Sequence, residues 1–438
     1  MSNMTENAPA AKLTNLLLAI AVLVGILGFL ADLNFTKKYG GVDLRNRVVA
    51  ARVATELGQD PYYFKWTSDY SDRFLDPADN AAIPTARVTV PPTVLLLQSS
   101  ISRLPYLAQR YIWFFFQWLL LLASIFILTR LTSSPAARKM IWILGLLFIS
   151  GAYFWRLHVE RGQMYIFYVF LFTLSLYTYQ KFGDEKKNQS IAGFILGYLA
   201  SLRPPFLFAF IPFLLYKKIR FSSFAVLGFT ASILFTSIFL PPSLWVSFYN
   251  SASFQGTMRT EEGTNFRAIG ADRAEGVELK NFLPVPGEDG SLQRIIHALS
   301  GRWPGNNALL ALLFGTMALV IAYLYKFKIL EPDGTNLFFV GIALVFLSEF
   351  FIPAPRWPYA NVIWLIPLAL IISSAVKIQK ITPLLFVVFS LSAAGLFFNI
   401  GFHLIPYLTL LGDFFILLAV FLFLFYLTNP KFISQDKR

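Results

Sequence analysis

The chain of 438 residues contains no cysteine and little charge. The absence of cysteine excludes disulfide bonds, covalent haem attachment and thiolate metal ligands. Only 14% of the residues are charged while 56% are hydrophobic, a balance that is too apolar for a soluble domain of this size. Repeated apolar stretches of roughly 18 or more residues, without the alternation of a β-barrel, therefore predict an all-α polytopic membrane protein.

The sequence also lacks the motifs of several enzyme and transporter classes. Its three histidines are far apart, which does not favour a zinc site, and we expect neither a metal nor a cofactor. There is no P-loop, and no Asp-x-Asp pair that would hold a metal on a nucleotide sugar. The net charge of +13 would suit nucleic acid, but the distribution of this charge argues against a nucleic-acid partner.

Hydropathy predicts a single transmembrane domain over residues 1–438, with about ten full spans. They are expected at residues 13–33, 108–129, 139–155, 164–180, 222–240, 307–325, 336–352, 359–376, 382–400 and 404–427. Residues 190–216 are also apolar but are interrupted by Arg203-Pro204-Pro205. Because proline breaks a helix, this segment is predicted to form a broken re-entrant helix pair. Arg203 is a candidate site residue, because a charge at membrane depth is costly unless it faces water or a partner.

The basic residues predict the orientation of the chain. The short loops on one side carry mostly lysine, which places the amino and carboxyl termini in the cytoplasm. The opposite side receives two long extracytoplasmic loops, 34–107 and 241–306, in which the basic residues are mostly arginine. Arginine binds phosphate through two parallel hydrogen bonds, so we expect an outer cavity for a phosphate or diphosphate lipid in the cell (inner) membrane. Several of these arginines could instead pair with acids of the same loops.

Asp43 opens the first long loop, close to the end of the first span. The apolar spacing after it predicts an interfacial helix with Arg45 and Arg52 turned toward lipid head groups. Asp43 and Arg47 are four residues apart, so they share a helix face and could pair. Asp43 is equally well placed, after Gly40-Gly41, to cap the helix, and a capping residue and a functional acid both stay open.

Other polar residues lie near the predicted ends of spans. Glu160 and Gln163 fall in a short outer turn, where a site and a solvated turn are equally compatible with the sequence. Glu349 could pair with Arg356 near the outer ends of two spans. Asp413 lies within a span, and we interpret it as a protonated carboxyl bonded to a neighbouring helix.

The order of several motifs resembles glycosyltransferase family 87. The motifs of the first loop are Asp43 before a helix, Gly58, Asp60-Pro61-Tyr62, Pro91-Pro92 and Trp113. Those of the central segment are Gly162-Gln163, Gly193-x-x-x-Gly197 and Arg203-Pro204-Pro205. The resemblance covers residues 35–245 and implies a GT-C-type fold. It also implies a polyprenyl-phosphate sugar as donor, as used by the similar phosphatidylinositol mannoside mannosyltransferases.

The resemblance implies a hexosyl- or pentosyltransferase that inverts the anomeric carbon, with membrane lipids around it and a lipid or glycan as acceptor. Asp43 is expected to be the general base, with a pKa raised by partial burial. The donor phosphate is expected at Arg47, Arg203 and Arg45. The candidates for the substrate cavity are Tyr62, Gln163, Glu160, Arg356, Tyr359 and Asn361.

The chain departs from the family pattern at three places. Arg47 stands in place of a tyrosine, Arg203 in place of a lysine, and the segment around Arg356 has no histidine. These departures leave the sugar, of which mannose is the best known in the family, and the acceptor open. A transporter or flippase of a lipid-linked or anionic solute would use the same arginines without needing Asp43 as a base.

Overall fold

The computed structural model describes residues 8–80, 83–181, 186–257, 290–329, 332–375, 382–399 and 408–429. These residues form helices and no strand, so the predicted all-α class is confirmed. The first helices are α1 (Ala8–Lys38), α2 (Val42–Arg52), α3 (Pro92–Ser102), α4 (Tyr106–Thr129), α5 (Pro135–Ile143), α6 (Tyr153–Arg161), α7 (Tyr165–Lys181), α8 (Lys186–Leu202), α9 (Ile211–Leu215), α10 (Ile219–Phe239) and α11 (Ser243–Thr257). The later ones are α12 (Leu292–Ser300), α13 (Asn306–Phe327), α14 (Gly334–Phe351), α15 (Leu365–Ala375), α16 (Pro383–Asn399) and α17 (Leu408–Thr428).

Shorter helical turns connect several of these helices. The π-helical turns are Val53–Leu57 and Leu144–Ile149, and the 3-10 turns are Asp72–Phe74, Pro204–Phe210 and Pro358–Trp364. The chain thus breaks at Arg203-Pro204-Pro205, as the prolines predict, because α8 ends one residue before Arg203. Of the predicted second outer loop, residues 258–289 lie outside the described part of the chain.

The predicted number of about ten spans is not confirmed. Among the described residues, seven helices are long and apolar enough to cross a membrane, and an eighth span exists if one bent pair is counted. That pair, Pro135–Ile149 and Tyr153–Arg161, bends by 69° where the sequence predicts one continuous span. The helices α7, α8 and α16 are each 17 residues long. A typical span needs about 20 residues, so these three helices are shorter than that.

Aromatic side chains fill the centre of the helix bundle. The ring of Phe338, on the buried helix α14, lies 5.3 Å from that of Phe172 and 5.0 Å from that of Phe213, both edge-on. Each such pair contributes about 0.5–1.5 kcal/mol beyond its buried area. In contrast, α1 and α13 leave most of their apolar side chains exposed, so these helices form the lateral surface that lipid would cover.

Glycines bring α8 and α10 together. A side chain at Gly193 or Gly197 would collide with the backbone of α10, and one at Gly228 would collide with the backbone of α8. Small residues let membrane helices approach closely enough to gain van der Waals contact. The Gly193-x-x-x-Gly197 motif therefore has a packing role, and it fixes the helix that ends at Arg203.

The helix predicted to lie on the membrane surface, α2, is instead enclosed by protein. Nine of its 11 residues are buried, including Arg45 and Arg52. Arg45 donates hydrogen bonds to the carbonyl oxygens of Leu75 (3.2 Å) and Asp72 (3.0 Å), and Arg52 donates one to that of Ser102 (2.8 Å). The prediction was wrong because a helix buried against a loop has the same apolar spacing as an interfacial helix.

Candidate functional site

Asp43 lies in the first turn of α2, and its carboxylate is held by side chains from two other segments. One oxygen, Oδ2, accepts hydrogen bonds from Arg161 Nε (2.7 Å) and Gln163 Nε2 (2.6 Å) at the end of α6. The other oxygen, Oδ1, lies 3.3 Å from Nη2 of Arg87 in the first long loop. The side chain is 20% exposed, so the carboxylate is fixed in position and is still accessible.

The structure excludes the capping role that the sequence left open for Asp43. Gly41 occupies the capping position of α2, and no side chain bonds there, so Asp43 does not cap the helix. Asp43 also forms no hydrogen bond with Arg47 within the described residues, since its bonds go to Arg161, Gln163 and Arg87. Asp43 is thus bound by distant segments and not by its own helix.

The charges around Asp43 set its acidity. Burial raises the pKa of the carboxyl, but the positive charges of Arg161, Arg87 and Arg47 together lower it by more. The pKa of Asp43 therefore lies below its usual value, and the expectation of a raised pKa was wrong. A partly buried carboxyl was expected to feel burial alone, whereas here two ion pairs outweigh it.

Arg47 lies one helical turn after Asp43, and the residue is 3% exposed. It donates a hydrogen bond to the carbonyl oxygen of Gly162 and lies over the ring of Trp113 at 5.6 Å. Its Nε is buried and has no hydrogen-bond partner within the described residues. Burial lowers the pKa of this guanidinium and the charge of Asp43 offsets that only in part. A buried cation with an unused donor is costly, and an anionic ligand would remove that cost.

Two tyrosines join the Asp43 group to Arg203. The guanidinium of Arg161 lies 5.8 Å from the ring of Tyr359, which lies 5.9 Å from the ring of Tyr165. The guanidinium of Arg203 in turn lies 4.9 Å from the ring of Tyr165. Both tyrosines are partly exposed, so the arginines stand at the two ends of an accessible aromatic surface.

Arg203 is paired with a buried acid, Glu349, at the end of α14. Its Nε and Nη2 lie 3.0 Å and 2.8 Å from Oε1 of Glu349, which leaves Nη1 without a hydrogen bond in the described part of the chain. The side chain of Arg203 is 33% exposed and that of Glu349 is 3% exposed. The sequence suggested Arg356 as the partner of Glu349, and that pairing was wrong. Glu349 orients one edge of the guanidinium and leaves the other edge accessible.

Arg356 and Asn361 belong to a second polar group, which fixes the segment that carries Tyr359. Arg356 pairs with Asp413 at 2.6 Å and donates a hydrogen bond to Oδ1 of Asn361 at 3.0 Å. Nδ2 of Asn361 donates to Asp413 at 2.9 Å. Asp413, near the start of α17, thus has two partners from another segment, Arg356 and Asn361, which the sequence did not indicate.

Two further candidates, Tyr62 and Glu160, face the interior of the protein. Tyr62 is fully buried, donates from its hydroxyl to the carbonyl oxygen of Val90 (2.8 Å) and packs against Phe248. Glu160 is also fully buried and accepts a hydrogen bond from the backbone of Gly41 at the start of α2 (3.4 Å). Each side chain supports the backbone of the loop or helix beside it, and a place for either in the substrate cavity stays a prediction. Arg45 is also fully buried and donates to loop carbonyl oxygens, and its role as a phosphate ligand stays a prediction.

The family of the chain follows from a comparison with known proteins. The model of glycosyltransferase family 87 matches residues 89–348, more than half of the chain. The chain belongs to this family. No curated protein and no solved structure shows a significant match to this chain.

The protein is therefore a membrane glycosyltransferase, and its family implies lipid-linked substrates. The matched segment contains Gln163 and Arg203 but ends before Tyr359 and begins after Asp43. The folded chain brings residues from all three parts of the chain to one place.

Four residues of this site were not among the predicted site residues: Arg161, Arg87, Tyr165 and Glu349. Arg161 could have been found from its position between Glu160 and Gln163, whereas nothing near Arg87 in the sequence indicates its contact with Asp43.

Gly162 is expected to be essential for the position of α2 against the end of α6. Its φ of 69° is left-handed, and an added Cβ would lie 2.6 Å from Cβ of Leu44. Gly58 has a φ of 62° but nothing within 4 Å of the added Cβ, so Gly58→Ala measures the backbone strain alone, about 1–2 kcal/mol. We expect Gly162→Ala to lower the thermal unfolding midpoint of the purified protein by more than Gly58→Ala, and to lower the transferase activity as well. Equal midpoints for the two variants would contradict this packing role.

Proposed function

We propose that this glycosyltransferase moves a sugar from a polyprenyl-phosphate donor to a lipid or glycan acceptor, with Asp43 as the general base. The reaction would invert the anomeric carbon and take place at the extracytoplasmic face of the cell membrane. The observation that carries this proposal is the aromatic surface of Tyr165 and Tyr359, with an accessible carboxylate at one end and an accessible guanidinium at the other. A sugar on this surface would have its acceptor side at Asp43 and its phosphate side at Arg203.

Two guanidinium groups support a place for the donor phosphate. Arg203 has a free Nη1 and Arg47 has a free Nε within the described residues, and both groups are charged at all physiological pH values. Arginine donors aimed at a phosphate stabilise the charge that develops on it as the glycosidic bond breaks. Lysine at position 203, as in relatives, would supply the charge without the two-pronged geometry.

The chemical step is a single displacement. The acceptor oxygen attacks the anomeric carbon, the bond from that carbon to the phosphate oxygen breaks, and the electron pair leaves with the polyprenyl phosphate. Asp43 takes the proton of the acceptor hydroxyl. The lowered pKa of free Asp43 makes it a weak base. A phosphate bound between Arg203 and Arg47 adds negative charge to the site, and this raises the pKa of Asp43 only when the donor is bound.

The low pKa of Asp43 predicts how activity depends on pH. Because the free carboxyl is ionised above its usual pKa of about 3.9, we expect kcat/KM to show no acid limb from Asp43 between about pH 5 and pH 8. Arg161→Gln removes the charge that lowers this pKa most and leaves the effect of burial, so the acid limb should move to higher pH. Arg161→Lys keeps the charge and should keep the limb in place, as should Arg73→Gln, which alters an ion pair with Glu56 instead. An unmoved limb in Arg161→Gln would show that Asp43 is not the titrating base.

The proposal is tested with purified protein in liposomes that contain radiolabelled polyprenyl-phosphate sugars, mannose first, together with a membrane lipid extract. We expect a labelled product and an equal loss of donor. Movement of intact donor to the opposite leaflet without a product would favour the transporter or flippase that the sequence left as an alternative. The proposed orientation has both termini in the cytoplasm and the active site outside. Protease added to right-side-out vesicles should therefore reach loop 34–107, and complete protection of this loop would contradict the orientation.

A further inference from the structure

A cleft in the first long loop lies beside Asp43. Three of its lining residues are aromatic, Phe64, Trp66 and Phe74, and they share the cleft with polar groups of the loop and of α2. Phe64 and Trp66 are partly exposed although they sit among buried residues of the same loop. The cleft therefore has a partly exposed aromatic wall, formed by Phe64 and Trp66, beside an enclosed space of about 30 Å³.

The polar wall of the cleft keeps unused hydrogen-bonding capacity. Asn46, one turn after Asp43 on α2, donates one bond from Nδ2 to Asp76 Oδ2 (2.9 Å). Within the described residues its carbonyl oxygen and its second N–H form no bond. Asp76 accepts one bond at Oδ1 from the backbone of Ala78 and so retains an acceptor site there. Groups of this kind bind hydroxyls, which both donate and accept.

The charges of the cleft do not suit an anionic ligand. The cation that lines it, Arg87, is already paired, since it lies 3.3 Å from both Asp43 and Asp76, and the lining Asp79 is paired with Lys65 at 3.0 Å. Burial raises the pKa of Asp79, and the neighbouring charge of Asp76 adds to this, so further negative charge is unfavourable here. The cleft thus differs from the surface between Arg47 and Arg203, where guanidinium donors are free.

The position of Arg87 places this cleft next to the reacting groups. Its guanidinium contacts Asp43 on one side and Asp76 on the other, so a single side chain separates the carboxylate from the cleft. A sugar ring presents an apolar face of C–H groups, which suits the electron-rich face of an aromatic ring, and a rim of hydroxyls. We propose that the cleft binds a neutral sugar residue of a glycan acceptor, with its ring on Trp66 and its hydroxyls on Asn46 and Asp76. This inference rests on the proposed function, because it assigns the acceptor of that same site.

The test is binding of methyl glycosides of mannose, glucose, galactose and arabinose to the purified protein in phosphatidylcholine nanodiscs. Saturation-transfer difference NMR reports which ring protons touch the protein. We expect a signal from at least one glycoside, reduced about tenfold in affinity by Trp66→Ala and also weakened by Asn46→Ala. Tyr63→Ala is the matched control, because Tyr63 lies in the same loop, is 43% exposed and does not line the cleft. Tyr63→Ala should retain the signal.

Two results would overturn the inference: no signal from any glycoside, or an undiminished signal in both Trp66→Ala and Asn46→Ala. A second readout separates this inference from the proposed function. Cleavage of the donor by water requires the donor site and not the cleft, so Trp66→Ala should raise the KM for the acceptor and leave donor hydrolysis unchanged. Absence of any donor cleavage in the wild type would contradict the proposed function, whereas an unchanged acceptor KM in Trp66→Ala would contradict only the cleft.

Discussion

Replacing Asp43 by asparagine is expected to reduce the rate of sugar transfer by about 10²–10⁴-fold, the usual contribution of a general base. Asparagine has nearly the same size and keeps a carbonyl oxygen that can accept hydrogen bonds from Arg161 and Gln163. It cannot take the proton of the acceptor hydroxyl at any pH. The measurement is the initial rate of transfer from radiolabelled polyprenyl-phosphate sugar, at a donor concentration above KM.

The matched control for Asp43→Asn is Glu56→Gln. Glu56 also pairs with an arginine of the first loop, Arg73 at 3.1 Å, and this pair includes none of the residues that contact Asp43. We expect Glu56→Gln to transfer sugar at nearly the wild-type rate. If Asp43→Asn did the same, Asp43 would only organise the arginines around it, and another group would have to be the base.

Replacing Arg203 by glutamine is expected to lower kcat by about 10²–10³-fold, as removal of one donor to a developing oxyanion does in other enzymes. The reason is the loss of a charged donor to the leaving phosphate, so the KM for the acceptor should change little. Arg203→Lys should keep part of the activity, because lysine keeps the positive charge. It should not keep all of it, because lysine cannot form two parallel hydrogen bonds to the phosphate. Arg103→Gln, at an exposed arginine after α3, serves as the control for loss of charge alone.

A second variant separates the catalytic effect from an effect on stability. Arg203→Gln leaves Glu349 as a buried acid without its partner, which is destabilising. The double variant Arg203→Gln/Glu349→Gln removes both charges and should recover much of the thermal stability. Its transfer rate should stay as low as that of Arg203→Gln. Recovery of the rate together with stability would mean that Arg203 acts only through the fold.

The sequence was sufficient to predict features that depend on composition or on local backbone chemistry. The all-helical membrane class follows from apolar length, and the break after α8 follows from the two prolines beside Arg203. Asp43 and Gln163 were found because their motifs resemble those of the family, and the structure brings them into contact although 120 positions separate them.

Features that depend on distant partners could not be predicted in this way. The contact of Arg87 with Asp43 joins a loop to a helix 44 positions away. In the sequence, Asp413 is a single acid in an apolar segment, because its partner Arg356 is 57 positions away. Nothing near Arg45 in the sequence indicates the loop carbonyl oxygens to which it donates, 27 and 30 positions away.

The anomeric configuration of the product tests the central claim most directly. A single displacement with Asp43 as the only base must invert the anomeric carbon, because no protein nucleophile forms an intermediate. The product of the wild-type enzyme, made from a donor of known configuration and examined by NMR, is predicted to have the opposite configuration. Retention of the donor configuration would contradict the account, since it would require a covalent intermediate that Asp43 as a base does not form.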